Sequence, residues 1–202
     1  MDERRLSAVD LAGERVRLRP AAPRDAPAAF AALHGREPIL RWLLWDGPEE
    51  LGELERYYGE WVRASERGDD YQLAIEERAS GELAGMLGLR FAGHPGIADL
   101  GYWIAERCQA RGLASEAIGL AARLAFRHLD ATSLCAWVFV GNGPSRRALE
   151  KNGFALAQTR ARAARKGGRE VDEWYFVLLR AEWEARGEPP ALACEEVRFA
   201  PA

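Results

Sequence analysis

Residues 98–129 read ADLGYWIAERCQARGLASEAIGLAARLAFRHL. Leu100, Tyr102 and Ile104 alternate as a strand does, the alternation stops, Gly112 falls among small residues, and a helical pattern begins at once. From Leu113 to Leu129 that pattern is apolar on most of its circumference, through Ala117, Ile118, Leu120, Ala121, Leu124, Ala125 and Phe126. Such a helix is expected between other elements rather than on a surface. A strand that turns through a glycine into a buried helix offers unpaired N–H groups and the positive end of a helix dipole, which suits a phosphate. The same glycine also suits a plain turn, and the surrounding chain has to decide.

Upstream, ERVRLRP (14–20) alternates Val16 and Leu18 with arginines and predicts a half-buried strand closed by Pro20. PRDAPAAFAALH (23–34) predicts a short helix, with Asp25 ahead of it and Pro27 in its first turn. In PEELGELERYYGEWVRASERG (48–68), Leu51, Leu54, Tyr58, Trp61 and Val62 recur at helical spacing and Gly68 supplies the stop. YQLAIEE (71–77), ELAGMLGLRF (82–91) and IADLGYWIA (97–105) predict an antiparallel meander. Downstream, SLCAWVFV (133–140) has the near-continuous apolar character of a central strand, and PSRRALEKNGF (144–154) that of a short helix ended at Gly153. FALAQTRARA (154–163) and REVDEWYFVLL (169–179) predict two strands around KGG, and 188–202 reads as a tail.

With 202 residues the chain is long enough for one domain with a proper core, taken as 1–187. Its 28 basic and 31 acidic residues nearly cancel, which argues against nucleic acid or an anionic membrane as the main partner. No apolar run approaches the ~20 residues of a membrane span, and the charged opening MDERRLSAVD lacks the apolar centre of a signal peptide, so a cytoplasmic protein is expected. Cys108, Cys135 and Cys194 form no CxxC pair and the histidines do not cluster, so neither a disulfide framework nor a metal site is expected.

The joint order of ADLGYWI, a Q-x-x-G-x-A turn at Gln109, Gly112 and Ala114, and N-x-x-S at Asn142 and Ser145 followed by LEKNGF resembles the GNAT superfamily of acyl-CoA-dependent N-acetyltransferases. The branch it is most similar to is the Rim-type one, which acetylates protein N-terminal amines, and the opening ERVRLRPAAPRDAPAAF shares in the resemblance, which runs from about Glu14 to about Trp183. The resemblance implies an α+β fold in three layers, α/β/α, with a mixed, mostly antiparallel central sheet, splayed strands and helices on both faces. It implies acetyl-CoA as cosubstrate, with no metal, and an amine acceptor that is a protein N-terminus or a small molecule; a homodimer is compatible with it. The turn amides of Gln109, Ala110, Arg111, Gly112, Leu113 and Ala114 would then cradle the pyrophosphate. The backbone of Trp103 and Ile104 would meet the pantetheine arm and polarise the thioester carbonyl.

Chemically, transfer to an amine needs a route for the amine proton and a hydrogen-bond donor for the leaving thiolate. By the resemblance Ser145 is that donor and Asn142 lies by the pantetheine, whereas by local rules both residues also suit a helix cap. Asp99 is the first expectation for the base, with Asp172 and Glu173 as alternatives, and Tyr102 and Tyr175 are neighbours without an assigned part. Arg107, Arg111, Arg146 and Arg147 flank the coenzyme motifs and suit the pyrophosphate or ribose phosphate without the sequence choosing among them; Arg147 is counted with the coenzyme contacts, and Arg111 through the turn. The hairpin carrying Arg160, Arg162, Arg165, Lys166 and Arg169 against Glu170 either attracts an acidic or ribosome-associated acceptor or is simply a solvated charged turn. Trp42 and Trp45 suit an acceptor wall or plain packing. Two further readings stay open: a small-molecule amine acetyltransferase acting on an antibiotic, polyamine or amino acid, and an acyl-CoA sensor without turnover.

Overall fold

A computed structural model describes residues 6–68, 70–91, 94, 96–187 and 194–199. In chain order it contains strands β1 (Leu6–Ala12) and β2 (Val16–Pro20), helices α1 (Ala26–Leu33), α2 (Glu37–Leu40) and α3 (Leu51–Arg67), and strands β3 (Asp70–Glu77), β4 (Glu82–Arg90) and β5 (Ile97–Ile104). Helix α4 (Leu113–His128), strand β6 (Ser133–Phe139), helix α5 (Gly143–Lys151), the hairpin β7 (Ala155–Lys166) and β8 (Arg169–Leu179), helix α6 (Arg180–Ala185) and strand β9 (Cys194–Phe199) follow. The strands form one sheet in the order β7-β8-β6-β5-β4-β3-β2-β1-β9. The β3–β4–β5 meander is antiparallel as its hairpin signals predict. The pairing of β5 with β6 is parallel, because α4 carries the chain back to the same end of the sheet.

Both faces of the sheet carry helices. On one, α4 buries Leu113, Ala117, Ile118, Leu124 and Ala125 against Leu73, Leu87, Leu100 and Leu134. That nearly all-round burial is what its apolar circumference requires. On the other, α1 and α3 bury Ala26, Ala29, Leu54 and Tyr58 against Ala74 and Met86. Helix α3 ends at Gly68, whose φ of 80° is the left-handed cap conformation.

Two strands escape the sequence patterns. β1 pairs β2, and β9, within the stretch expected to be a tail, pairs β1 through Val9↔Val197 and Leu11↔Glu195. Both owe their form to this mutual pairing, and neither shows an alternation strong enough to announce it. Residues 188–193 and 200–202 of that stretch lie outside the described residues.

The end of β2 is pinned by charge. Arg19 donates to Asp25 at 2.7 and 2.8 Å and to Glu76 at 2.8 Å, and Asp25 also accepts from the Ala22 N–H at 2.9 Å. Burial pushes the Asp25 carboxyl up, but the hydrogen bonds and the guanidinium charge outweigh it and hold it below the usual carboxylate range. Asp25→Ala removes two of the three charged hydrogen bonds of Arg19 and leaves it only Glu76, and is expected to cost about 2 kcal/mol at neutral pH. Because the folded-state carboxyl titrates low, its contribution is complete above the unfolded value near ~4 and fades as pH falls through the folded one. The gap between the urea midpoints of wild type and variant should therefore be widest near pH 7 and narrow progressively as the pH is lowered below ~4.

Candidate functional site

β5 and β6 pair only at Ile97↔Ser133, Ala98↔Leu134 and Asp99↔Cys135, after which both strands continue without bonding each other. A cleft of about 790 Å³ occupies the split. Backbone groups of a strand alternate sides. Gly96 O bonds Thr132 N on the β6 side, whereas Ala105 N bonds Ala84 O on the β4 side. The alternation therefore turns the groups of Leu100, Tyr102 and Ile104 into the split and those of Trp103 toward β4. Trp103 O indeed lies where a Cβ on Gly85 would stand. Of the two carbonyl-polarising donors expected from sequence, Ile104 is in position for that part and Trp103 is not. Gly101 keeps the floor open, since a Cβ there meets no atom within 4 Å.

At one end of the cleft lies the 109–114 turn. Ala110 (φ 58°) and Gly112 (φ 81°) are both left-handed, and Gly112 is the N-cap of α4 without any side-chain cap. The first intrahelical bond runs from Glu116 N to Gly112 O, so Leu113, Ala114 and Ser115 present N–H groups that the helix itself cannot satisfy. Gln109 braces the turn by donating to Ile104 O at 3.1 Å. Glu116 braces it from behind, accepting from Arg15 N at 2.8 Å and Val16 N at 3.2 Å. Nothing in the sequence marked Glu116, an acidic residue in a first helical turn being ordinary.

Asn142 is the cap of α5, its Oδ1 accepting from Ser145 N at 3.2 Å. The capping role is thus filled by Asn142, and the Ser145 hydroxyl is left to accept from Tyr102 Oη at 2.9 Å. Burial raises the Tyr102 phenol, with the Ser145 bond a smaller opposing effect, so Tyr102 stays protonated at neutral pH. Tyr102 and Ser145 both line the cleft, as does Asn142.

The carboxylates separate sharply. Asp99, the first expectation for the base, sits exposed where β5 still pairs with β6, four residues or ~13 Å behind Trp103, and is not among the cleft's lining residues. Asp172 is committed to the hairpin, accepting from Arg162 N at 2.8 Å. Glu173 lines the cleft with 7% exposure. Burial raises its carboxyl, opposed in part by the charge of Arg160. The carboxylate suited to proton removal is therefore Glu173. Tyr175 instead donates to Cys135 Sγ at 2.8 Å and is pushed up to about 12, first by that bond and then by burial.

Of the arginines, Arg147 lines the cleft. Arg111 turns away to pair with Glu77, Arg107 bonds Glu82 and Leu83 O, and Arg146 bonds Glu150 and lies over Trp174. Only the backbone of Arg111 is thus available to the turn. Trp42 forms a cleft wall, while Trp45 packs edge-on against Tyr57. Lys166, unmarked by any motif, ties the hairpin to that wall by bonding Trp45 O at 2.8 Å and Asp46 at 2.6 Å.

Among the described residues no group of His, Cys, Asp and Glu could hold a metal ion, and no helix is long and apolar enough to cross a membrane.

The model of the acetyltransferase (GNAT) domain matches residues 15–155. The chain is 28% identical over 178 residues to the provisionally named ribosomal N-acetyltransferase YdaF of Bacillus subtilis strain 168, covering 85% of this chain and 94% of that protein. Among solved structures it is similar to RimL, a ribosomal L7/L12 α-N-protein acetyltransferase in complex with coenzyme A, at 21% identity and TM-score 0.77, covering 85% of this chain and 97% of the other. It is also similar to spermidine N-acetyltransferase of Vibrio cholerae in complex with CoA and spermine, at 20% identity and TM-score 0.74, covering 84% and 98%.

The first N–H groups of α4 are left without a side-chain cap, an arrangement that suits an anion. Gly112→Ala forces a side chain into the left-handed region at ~1–2 kcal/mol, and it should weaken coenzyme A binding several-fold by calorimetry while the melting temperature falls only modestly.

Proposed function

The chain belongs to the GNAT acetyltransferase family, and on that premise we propose that it acetylates the N-terminal amine of a peptide or protein, in the manner of the Rim-type branch, by direct attack in a ternary complex. As a GNAT member it is an acyltransferase that uses acetyl-CoA. The cosubstrate supplies an acyl thioester, and the chain's residues bind, orient and move protons around it. The observation that carries the reading is that one cleft joins a helix-start turn with uncapped N–H groups, a Tyr102–Ser145 hydroxyl pair and the buried carboxylate Glu173.

In this reading the N–H groups of residues 110–115 hold the pyrophosphate, that of Gln109, expected from sequence to join them, being taken by Glu106 O, and Arg147 meets phosphate at the mouth. The Ile104 N–H, facing the split, bonds the carbonyl oxygen as charge develops on it. Glu173 takes the proton of the incoming ammonium, the amine nitrogen bonds the carbonyl carbon, and the carbon–sulfur bond breaks. Ser145 donates a hydrogen bond to the departing sulfur as negative charge develops on it, its own proton being free to point there because Oγ accepts from Tyr102. The nitrogen sheds its second proton to solvent as the amide forms, and the released thiolate takes up a proton from solvent, so that no serine alkoxide is formed.

The acceptor class follows the Rim-type resemblance and the character of YdaF; the spermidine enzyme shares the fold alone. Thiol release from acetyl-CoA against N-terminal peptides, polyamines and aminoglycosides, with coenzyme binding measured on the same sample, tests it. Release with peptides is expected. Release with polyamines or aminoglycosides alone identifies a small-molecule enzyme, and tight binding without any release identifies a sensor.

Glu173→Gln is expected to lower kcat/KM by ~10²–10⁴. The base must be ionised, so wild-type kcat/KM should rise with pH through a value above the ordinary ~4.3 of a glutamate, and the variant should lack that limb. Asp99→Asn should keep both rate and profile. Ser145→Ala should slow turnover at least tenfold with coenzyme affinity retained; full turnover in a folded Ser145→Ala protein would remove it from the chemistry.

A further inference from the structure

The cleft passes through the sheet. Tyr102 and Ser145 lie on the face covered by α4 and α5, and Trp103, Trp137 and Glu173 on the other. On that second face α1, α2 and α3 cover the sheet as far as Trp103 and stop. Beyond it, among the described residues, no helix covers β6, β8 and β7, and large apolar side chains stand in the open: Trp137 is 40% exposed, Ile97 42% and Leu179 45%.

This bare face starts at the candidate base. Phe139 and Glu173 are register partners, followed by Trp137 with Tyr175, Cys135 with Val177, and Ser133 with Leu179 and Ile97. The track spans seven residues of β8, from Glu173 to Leu179, or six steps of ~3.3 Å, ~20 Å in all. Its floor near the cleft is stacked: Trp137 lies on Tyr175 at 4.2 Å, and the Arg160 guanidinium lies 5.0 Å over the Trp137 ring. Arg160, the register partner of Glu173, lends its charge to that carboxyl without forming an ion pair within 4 Å among the described residues, and it stands in a hairpin rich in arginine.

We propose that this face extends the acceptor site and takes the polypeptide that continues from the acetylated amine, with Arg160 pairing an acidic side chain among its first residues. The inference rests on the reading given under Proposed function and names its substrate class more narrowly. A small amine uses only the space around Glu173 and leaves the track idle. A second copy seated on the track would bury Trp137 and close the mouth through which the acceptor enters. An extended peptide anchored by its amine at Glu173 covers the aromatic stack with its next residues, and ~20 Å corresponds to about six residues of extended chain. The Arg160 guanidinium, over the Trp137 ring and without a close ion pair, supplies the charge complementarity that selects an acidic segment over a basic one.

The test compares kcat/KM for a tripeptide and two octapeptides sharing its N-terminus, one with acidic and one with basic residues at positions 2–4, using wild type, Ile97→Glu, Arg160→Gln and Arg160→Lys. Wild type is expected to prefer the acidic octapeptide to the tripeptide by tenfold or more, and to the basic octapeptide by a similar factor. Ile97→Glu lies far from the cleft and should erase most of the length preference while tripeptide turnover and coenzyme affinity stay at wild-type values. Arg160→Gln should erase the charge preference, and Arg160→Lys should restore part of it. Equal rates for all peptides in wild type, or unchanged preferences in Ile97→Glu and Arg160→Gln, overturn the proposal. So does a wild-type dimer by sedimentation that Ile97→Glu dissociates, since the face is then a self-interface. Absence of coenzyme binding or of thiol release with every amine would instead overturn the acetyltransferase reading on which this rests.

Discussion

After Asp99 and Cys135 the hydrogen-bond ladder between β5 and β6 stops, although both strands run on. In a buried sheet this is costly, since each backbone group left unpaired forfeits ~1–3 kcal/mol unless something else satisfies it. The inward-turned groups of Tyr102 and the N–H of Ile104, whose C=O is taken by Gln109, therefore call for a partner with peptide-like polarity, which on the proposed reading is the amide-bearing arm of the coenzyme. β5 can bear the opening because its other edge is fully bonded to β4 from Gly85 to Arg90.

An opening of this kind is useful only if its walls do not drift. Three long-range contacts hold them. Glu116 fastens the start of α4 to the β1–β2 turn. Asn152 Nδ2 spans α4 and α5, donating to Ser115 O at 2.9 Å and Ala148 O at 2.8 Å. Lys166 fastens the β7–β8 hairpin to the Trp42–Asp46 loop. Each draws on a side chain distant in sequence, so the phosphate turn, the hydroxyl pair and the acceptor wall are positioned by the fold as a whole.

That distribution explains what could be read from the sequence. The strand–turn–helix unit around Gly112 and the capped helix at Asn142 are local, and their periodicity and cap residues announced them. β1 and β9 were invisible because each is a strand chiefly by pairing with the other, and pairing leaves no local period. The Tyr102–Ser145 bond joins residues 43 apart, so Tyr102 was only a neighbour of the motif until the fold set it against α5. The resemblance supplied roles by position, and it could not decide among carboxylates whose local patterns are alike.

The choice between Asp99 and Glu173 is made by strand order. β8 is inserted between β6 and β7, which brings Glu173 opposite Phe139 at the open part of the split, while Asp99 stays at the closed part with water around it. Burial then raises the one carboxyl that reaches the cleft. The result is a carboxylate on one face of the sheet and a hydroxyl pair on the other, with the opening between them. On the proposed reading, two substrates approaching from opposite faces meet there directly, with Glu173 on the amine's side and the hydroxyl pair on the sulfur's side. No covalent relay through the protein is needed: Cys135 is buried, bonded by Tyr175 and held in its thiol form by burial, and it lies at the closed part of the split rather than in the opening.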